Sequence, residues 1–206
     1  ANQPDEACDP TPGPDGLQHQ CADPGGDGQA QSGPPATPPE QPLGKEKNPP
    51  GDIPDSQVFV KYTWPGDGSF RGYEFKAPEG WARTVNGGDV SFADKLDAIK
   101  VALTAASAAP TAASVTANEA PALVRTGRAV QIEKVQDVSL PVGPAVLMLY
   151  TANSDPNPVT NKQYRLEITS FLMFKDGSVA TLTLSAPLGA DNVDDWRLIS
   201  RSFKFL

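Results

Sequence analysis

The stretch YRLEITSFLMFKDGSVATLTLSAP, residues 164–187, decides the fold. Tyr164, Leu166 and Ile168 alternate with Arg165, Glu167 and Thr169, the period-two pattern of a strand with unlike faces. Asp176-Gly177 is the pair that a two-residue hairpin turn favours, because both central positions take a positive φ. The chain then returns with Val179, Thr181 and Thr183 set against Ala180, Leu182 and Leu184. A hairpin of this length needs further strands or helices to cover its apolar face.

The flanking segments supply them. AVLMLYTA (145–152) is unbroken apolar from Ala145 to Tyr150 and predicts a buried strand. AVQIEKVQDVSL (129–140) alternates with one slip after Ile132, which predicts a strand with a bulge. QVFVKYTW (57–64) predicts a strand with Val58, Val60, Tyr62 and Trp64 on one face. GYEFKA (72–77), with Tyr73 and Phe75 on one face, and DVSFAD (89–94) predict two more. DKLDAIKVALTAAS (94–107) fits either period, and Pro110 soon after it favours a strand in its second half. TAASVTANEAPALVRTGRA (111–129) predicts a helix, with Pro121 near the first turn and Gly127 as the stop. A last helix is expected after Asn192 as cap, with Asp194 and Asp195 in its first turn and Arg197 and Arg201 towards its end. Val193, Trp196, Ile199 and Phe203 would share its inner face. The expectation for residues 56–206 is an α+β domain: an antiparallel sheet of about six or seven strands with about two packed helices.

Residues 1–55 differ in kind. They hold 13 Pro and 8 Gly, no aromatic residue, and only Leu17, Leu43 and Ile53 as large apolar side chains. Such a segment buries too little apolar surface to offset its ordering entropy and is expected to be an acidic linker or tail. It carries ten Asp/Glu and two Lys, whereas residues 56–206 carry 15 of each sign, so the net charge of −8 belongs to the tail. A neutral body with an acidic tail argues against a nucleic-acid partner and against hugging an anionic membrane. No apolar run is long enough to form a spanning helix.

The rare reactive residues all lie in the tail. Cys8 and Cys21 are the only cysteines and His19 the only histidine. A cysteine pair in such a segment points to an oxidising compartment, hence an exported protein with a Cys8–Cys21 disulfide. Zinc on two Cys and one His would need a fourth ligand, such as Asp23, at a spacing unlike that of known sites. The near-repeat CDPTPGPDG and CADPGGDG (8–16 and 21–28) places Asp9, Asp15, Asp23 and Asp27 where they could hold Ca²⁺, against the simpler reading of a solubilising linker with turn residues. Nucleophilic catalysis of the Ser-His or Cys-His kind needs a rigidly held histidine, which His19 is not expected to be. No phosphate loop or dinucleotide fingerprint occurs, so no cofactor and no catalytic residue are expected. Trp64, Trp81 and Tyr150 remain as candidates for a ligand or partner surface, against the plain reading of core or rim residues.

YEFKAPEGW (73–81) resembles the opening of PsbP-like domains, where a strand runs into a Pro-x-Gly-Trp turn. GDVSFADKLDAIKV (88–101) resembles the second and third strands of actinobacterial lipoproteins of LpqN/LpqT type. FKDGSVATLTLSAPLGADNVDDWRLISRSFKF (174–205) is similar to the end of the same proteins. The resemblance covers about residues 57–206 and rests on structural rather than catalytic motifs. It implies a PsbP-like fold in an exported cell-envelope lipoprotein, on the outer face of the plasma membrane, that binds or helps assemble a membrane- or wall-associated protein. The chain would touch the membrane only through a lipid anchor. Residue 1 is Ala and Cys8 follows PDEA, which is not a lipobox, so an acylated cysteine would lie just before Ala1. Two alternatives stand beside this reading: a carrier of a lipid or small hydrophobic ligand, and an enzyme of unrecognised type.

Overall fold

The computed structural model describes residues 38–206. In chain order the elements are β1 (Phe59–Gly66), β2 (Arg71–Pro78), β3 (Ala82–Asn86), β4 (Asp89–Asp94), β5 (Asp97–Ala105), α1 (Ala112–Ala117), α2 (Glu119–Thr126), β6 (Gln131–Leu140), β7 (Gly143–Asn153), β8 (Arg165–Lys175), β9 (Ser178–Pro187), α3 (Val193–Ser202) and β10 (Lys204–Phe205). The strands form a seven-stranded antiparallel sheet, β3-β4-β5-β9-β8-β7-β6, and a smaller sheet, β1-β2-β10.

The β8–β9 hairpin is the centre of the large sheet. Asp176 and Gly177 sit at φ 44° and 82°, both left-handed, as a primed turn requires. The register runs from Lys175↔Ser178 to Leu166↔Pro187 without a slip. β7 and β6 continue the meander on one side, and β6 carries the expected irregularity between Ile132 and Lys134. On the other side β5 pairs with β9, so 94–107 resolves as a strand through Asp97–Ala105.

Both faces of this sheet are apolar, which is why β7 reads as a continuous run. Val146, Met148 and Tyr150 join Ile168, Leu172 and Val179 under α1 and α2. Ala145, Met173, Leu182 and Leu184 join Ile99 and Val101 on the opposite face, beneath the small sheet and α3. There Tyr73, Phe75 and Phe203 stack, with ring centroids 5.5 Å apart for Tyr73–Phe203 and 6.4 Å for Phe75–Phe203.

Several expectations change in detail. The helix expected over 111–129 is two short helices that break at Asn118; Thr111 caps the first through a reciprocal bond with Ser114. β3 and β10 were not expected. β3 is exposed along its whole length and so shows no apolar alternation; its one sequence signal is the Gly87-Gly88 turn that pairs it with β4. Val58 and Val60 are exposed, while Phe59, Tyr62 and Trp64 pack on the core. Arg165, read as an outward polar residue, is buried, because its guanidinium bonds Ala129 O, Asn153 Oδ1, Gln131 Oε1 and Thr151 Oγ1 at 2.7–3.0 Å.

The largest difference lies in 38–55. Composition assigns this stretch to the tail, yet the compact unit begins at Pro39 and the segment is strapped to the body by polar bonds. The Glu40 carboxylate accepts from Arg128 Nη1, Asn153 Nδ2 and Gln163 Nε2 at 2.8, 2.9 and 2.9 Å, and these bonds hold it below the usual carboxylate range. Leu43 N donates to Asn153 Oδ1 at 3.0 Å, and Lys162 pairs with Glu46 at 2.9 Å. At the far end Ile53 is buried. Its N–H donates to Asn192 Oδ1 at 2.8 Å, while Asn192 Nδ2 donates to Gly51 O at 2.9 Å. Asn192 therefore stands at the start of α3 but its side chain serves the strap instead of capping the helix. Individually specific bonds, together with the burial of Ile53, order the strap, and composition does not report them. Asn192→Ala should leave the buried Ile53 N–H and the half-buried Gly51 carbonyl unpaired and cost about 1–3 kcal/mol. Urea unfolding should show that loss, and limited proteolysis should show earlier cutting within 39–55 than in the native chain.

Candidate functional site

α3 packs against β2 and leans over the large sheet near its β6–β7–β8 end. The small sheet covers the β4–β5–β9 part of the same face through Tyr73 and Phe75, the latter packed edge-on against Phe92 of β4. Between α3 and the uncovered strands lies a groove of about 530 Å³. Its floor is Leu147 and Leu149 of β7 with Thr169 and Phe171 of β8; Leu140 of β6 closes one side and Trp196 of α3 the other. Val193, 61% exposed, stands at the mouth rather than in the core, because its turn of helix overhangs the groove. Ala190 and Asn192 form the end wall, the segment the strap grips.

The polar groups of the groove are unevenly placed. Glu167 is its one lining carboxylate; burial raises its pKa first, Gly189 N–H and Lys45 counteract, and Glu133 adds to the rise. Arg197 and Arg201 lie on the α3 side. Arg197 is tied to Asp194 at 3.0 Å. The volume falls within the range of about 300–1,000 Å³ typical of small-molecule sites, and a mostly apolar lining with few polar groups is the usual make-up of such sites. The arrangement can hold an apolar chain along Leu147, Leu149 and Phe171 with an acidic head near the arginines.

Trp64, Trp81 and Tyr150 do not line this groove. Cys8, Cys21, His19, Asp9, Asp15, Asp23 and Asp27 lie outside the described residues. Trp64 packs on Tyr73 at 5.8 Å between ring centroids. Trp81 donates its Nε1–H to Gln57 Oε1 at 3.1 Å. Tyr150 is on the opposite face of the sheet, where it lines a smaller cleft of about 360 Å³ beside α2. Among the described residues no group of three or more His, Cys, Asp or Glu is placed to hold a metal ion. In the sequence Leu147 and Leu149 read as part of a buried strand and Trp196 as the inner face of a helix, so nothing there marks a groove.

No family model matches the chain, and no curated protein matches its sequence. Solved structures do match. The solution structure of cyanobacterial PsbP (CyanoP) from Synechocystis sp. PCC 6803 superposes with a TM-score of 0.52 at 16% identity, over 76% of this chain and 98% of that one. The fold is PsbP-like. Two weaker likenesses accompany it. LpqN of Mycobacterium tuberculosis, described as involved in cell envelope biogenesis, gives a TM-score of 0.44 at 14% identity over 71% of this chain and 91% of that one. A Pseudomonas aeruginosa protein of unknown function gives 0.40 at 14% identity over 70% and 83%. The α+β architecture expected from the sequence is thus matched by a PsbP-like structure.

The raised pKa of Glu167 makes a prediction of its own. A carboxyl whose folded pKa exceeds its unfolded value loses its stabilising contribution as pH rises through the folded pKa. Glu167→Gln should therefore match the native protein in urea midpoint at about pH 4 and exceed it at about pH 8. Equal midpoints at both would show that the carboxyl is not strained by burial.

Proposed function

We propose that this chain is a non-enzymatic binding module of the cell envelope and that the groove under α3 is its ligand site. The occupant is a single-chain amphiphile with an acidic head. The observation that carries this reading is the groove itself: leucine and phenylalanine side chains of β7 and β8 only half covered beneath a helix that bears two arginines. Uncovered apolar surface of this kind is costly in water, and an acyl chain laid on it removes the cost. The polar groups of the groove suit orientation of a head group rather than bond-making chemistry.

The setting we infer is extracytoplasmic, on the outer face of the plasma membrane. Its support is the Pro/Gly-rich acidic segment, which suits a tether at roughly 3 Å per residue in extended form, and the cysteine pair within it. A membrane- or wall-associated protein is the partner such a tethered module would serve.

Titration with a lysophosphatidylglycerol below its micelle concentration, followed by tryptophan fluorescence, tests the site. Saturable binding is expected. Leu149→Arg should weaken it at least about tenfold by placing a charge on the floor. Val85→Arg, on the exposed face of β3, should leave it unchanged. Absence of saturable binding, or equal affinity in both variants, would remove the groove as the site.

A further inference from the structure

The strap crosses the end of the large sheet over a buried carboxyl oxygen that no hydrogen bond satisfies. Asp97 opens β5, is 7% exposed, and its Oδ1 has no hydrogen-bond partner among the described residues. Gly51 of the strap lies directly on it. Its φ is +103°, and a Cβ there would stand 3.1 Å from Asp97 Oδ1 and 2.7 Å from Pro187 Cδ, so only glycine permits the approach. The charged groups facing Asp97 are Asp52 on the strap and Asp94 and Lys95 in the turn before β5; the β9 end contributes the uncharged Pro187.

The same three strap residues hold the end wall of the α3 groove. Gly51 O and Ile53 N bond the Asn192 side chain, and Asp52 Oδ1 accepts from Asp191 N at 2.8 Å. Whatever moves Gly51–Ile53 therefore moves the support of Ala190 and Asn192, which line the groove.

We propose that the strap is a proton-controlled latch: with Asp97 neutral, Gly51–Ile53 seat on its carboxyl and clamp Asn192, and with Asp97 ionised they lift and loosen the end wall of the groove. The gating half of this proposal rests on the groove being the ligand site. An ionised carboxylate must find water or a partner, and the covering strap keeps water from Oδ1. Displacing Gly51 admits it and carries the like charge of Asp52 away at the same time. Burial, then repulsion from Asp94 and Asp52, raises the carboxyl to about 7 against the opposing pull of Lys95. Because the folded pKa lies above the unfolded one, the closed state gains from Asp97 at low pH, and that gain is lost as pH rises through about 7.

Amide NMR on the full chain tests the latch. The Ile53 and Asp191 N–H groups, which donate to Asn192 Oδ1 and Asp52 Oδ1, should titrate together with a midpoint near neutral pH. In Asp97→Asn both should stay at their low-pH positions across about pH 5 to 9. In Asp52→Asn the midpoint should fall, since one repelling charge is gone. A native chain that shows no titration at these amides, or an Asp97→Asn chain that titrates as the native one does, overturns the latch. Lysophosphatidylglycerol affinity should fall several-fold across the same midpoint in the native chain and stay constant in Asp97→Asn. If the amides titrate but no amphiphile binds at any pH, the groove reading fails and the latch stands; if the amphiphile binds without any strap titration, the reverse holds.

Discussion

A seven-stranded sheet that is apolar on both faces must be covered twice, and everything else in the domain follows from how that is done. α1 and α2 suffice for the face that carries Val146, Met148 and Ile168, because the crossover from β5 to β6 delivers them there. The opposite face is wider than its cover. The small sheet seals Ile99, Val101, Leu182 and Leu184 with a stack of aromatic rings, and α3 is held by β2 at the border of what remains. The half-buried remainder, Leu147, Leu149 and Phe171, lines the groove. In a protein of this size a packed core is the ordinary outcome, so an open apolar floor beneath a helix marks the place where something else completes the fold.

The strap gives that groove its end. Its polar hold on the body is divided between two clasps, Glu40 with Asn153 and Arg128, and Gly51–Ile53 with Asn192, the second backed by the buried Ile53 side chain. Asn153 also bonds Arg165, a buried guanidinium satisfied by neutral oxygens, so the first clasp continues into the sheet. The second clasp lies over Asp97, the one described side-chain atom left buried without a partner. A segment held by a few specific bonds can be released by changing one charge, which a segment held by apolar burial cannot.

What was legible in the sequence is what period and turn chemistry encode. The β8–β9 hairpin, the bulge in β6, the strand at Asp97–Ala105 and the helix after Asn192 are all written locally, in alternation, an Asp-Gly pair and a Pro. What escaped depends on tertiary placement. β3 has no buried face and so no alternation to read. Arg165 and the strap are ordered by hydrogen bonds to residues far along the chain, and Asn192 gives its side chain to one of them although its position reads as a cap. The groove was invisible for a related reason. Leu149 on a floor and Leu182 in a core are the same letter on the same kind of strand, and only the reach of α3 and the small sheet separates them. Trp64, Trp81 and Tyr150 attracted notice as large amphipathic residues, yet the first two sit with the small sheet and the third on the opposite face of the large one.

If the groove is a ligand site, a bound amphiphile covers its floor in the protein as it occurs. Native mass spectrometry of the chain purified from its own source tests this. An added mass of one amphiphile is expected, one that dissociates on activation and is missing from Leu149→Arg prepared in the same way. A clean mass of the bare chain, under conditions that preserve non-covalent complexes of a control lipid carrier, would contradict it.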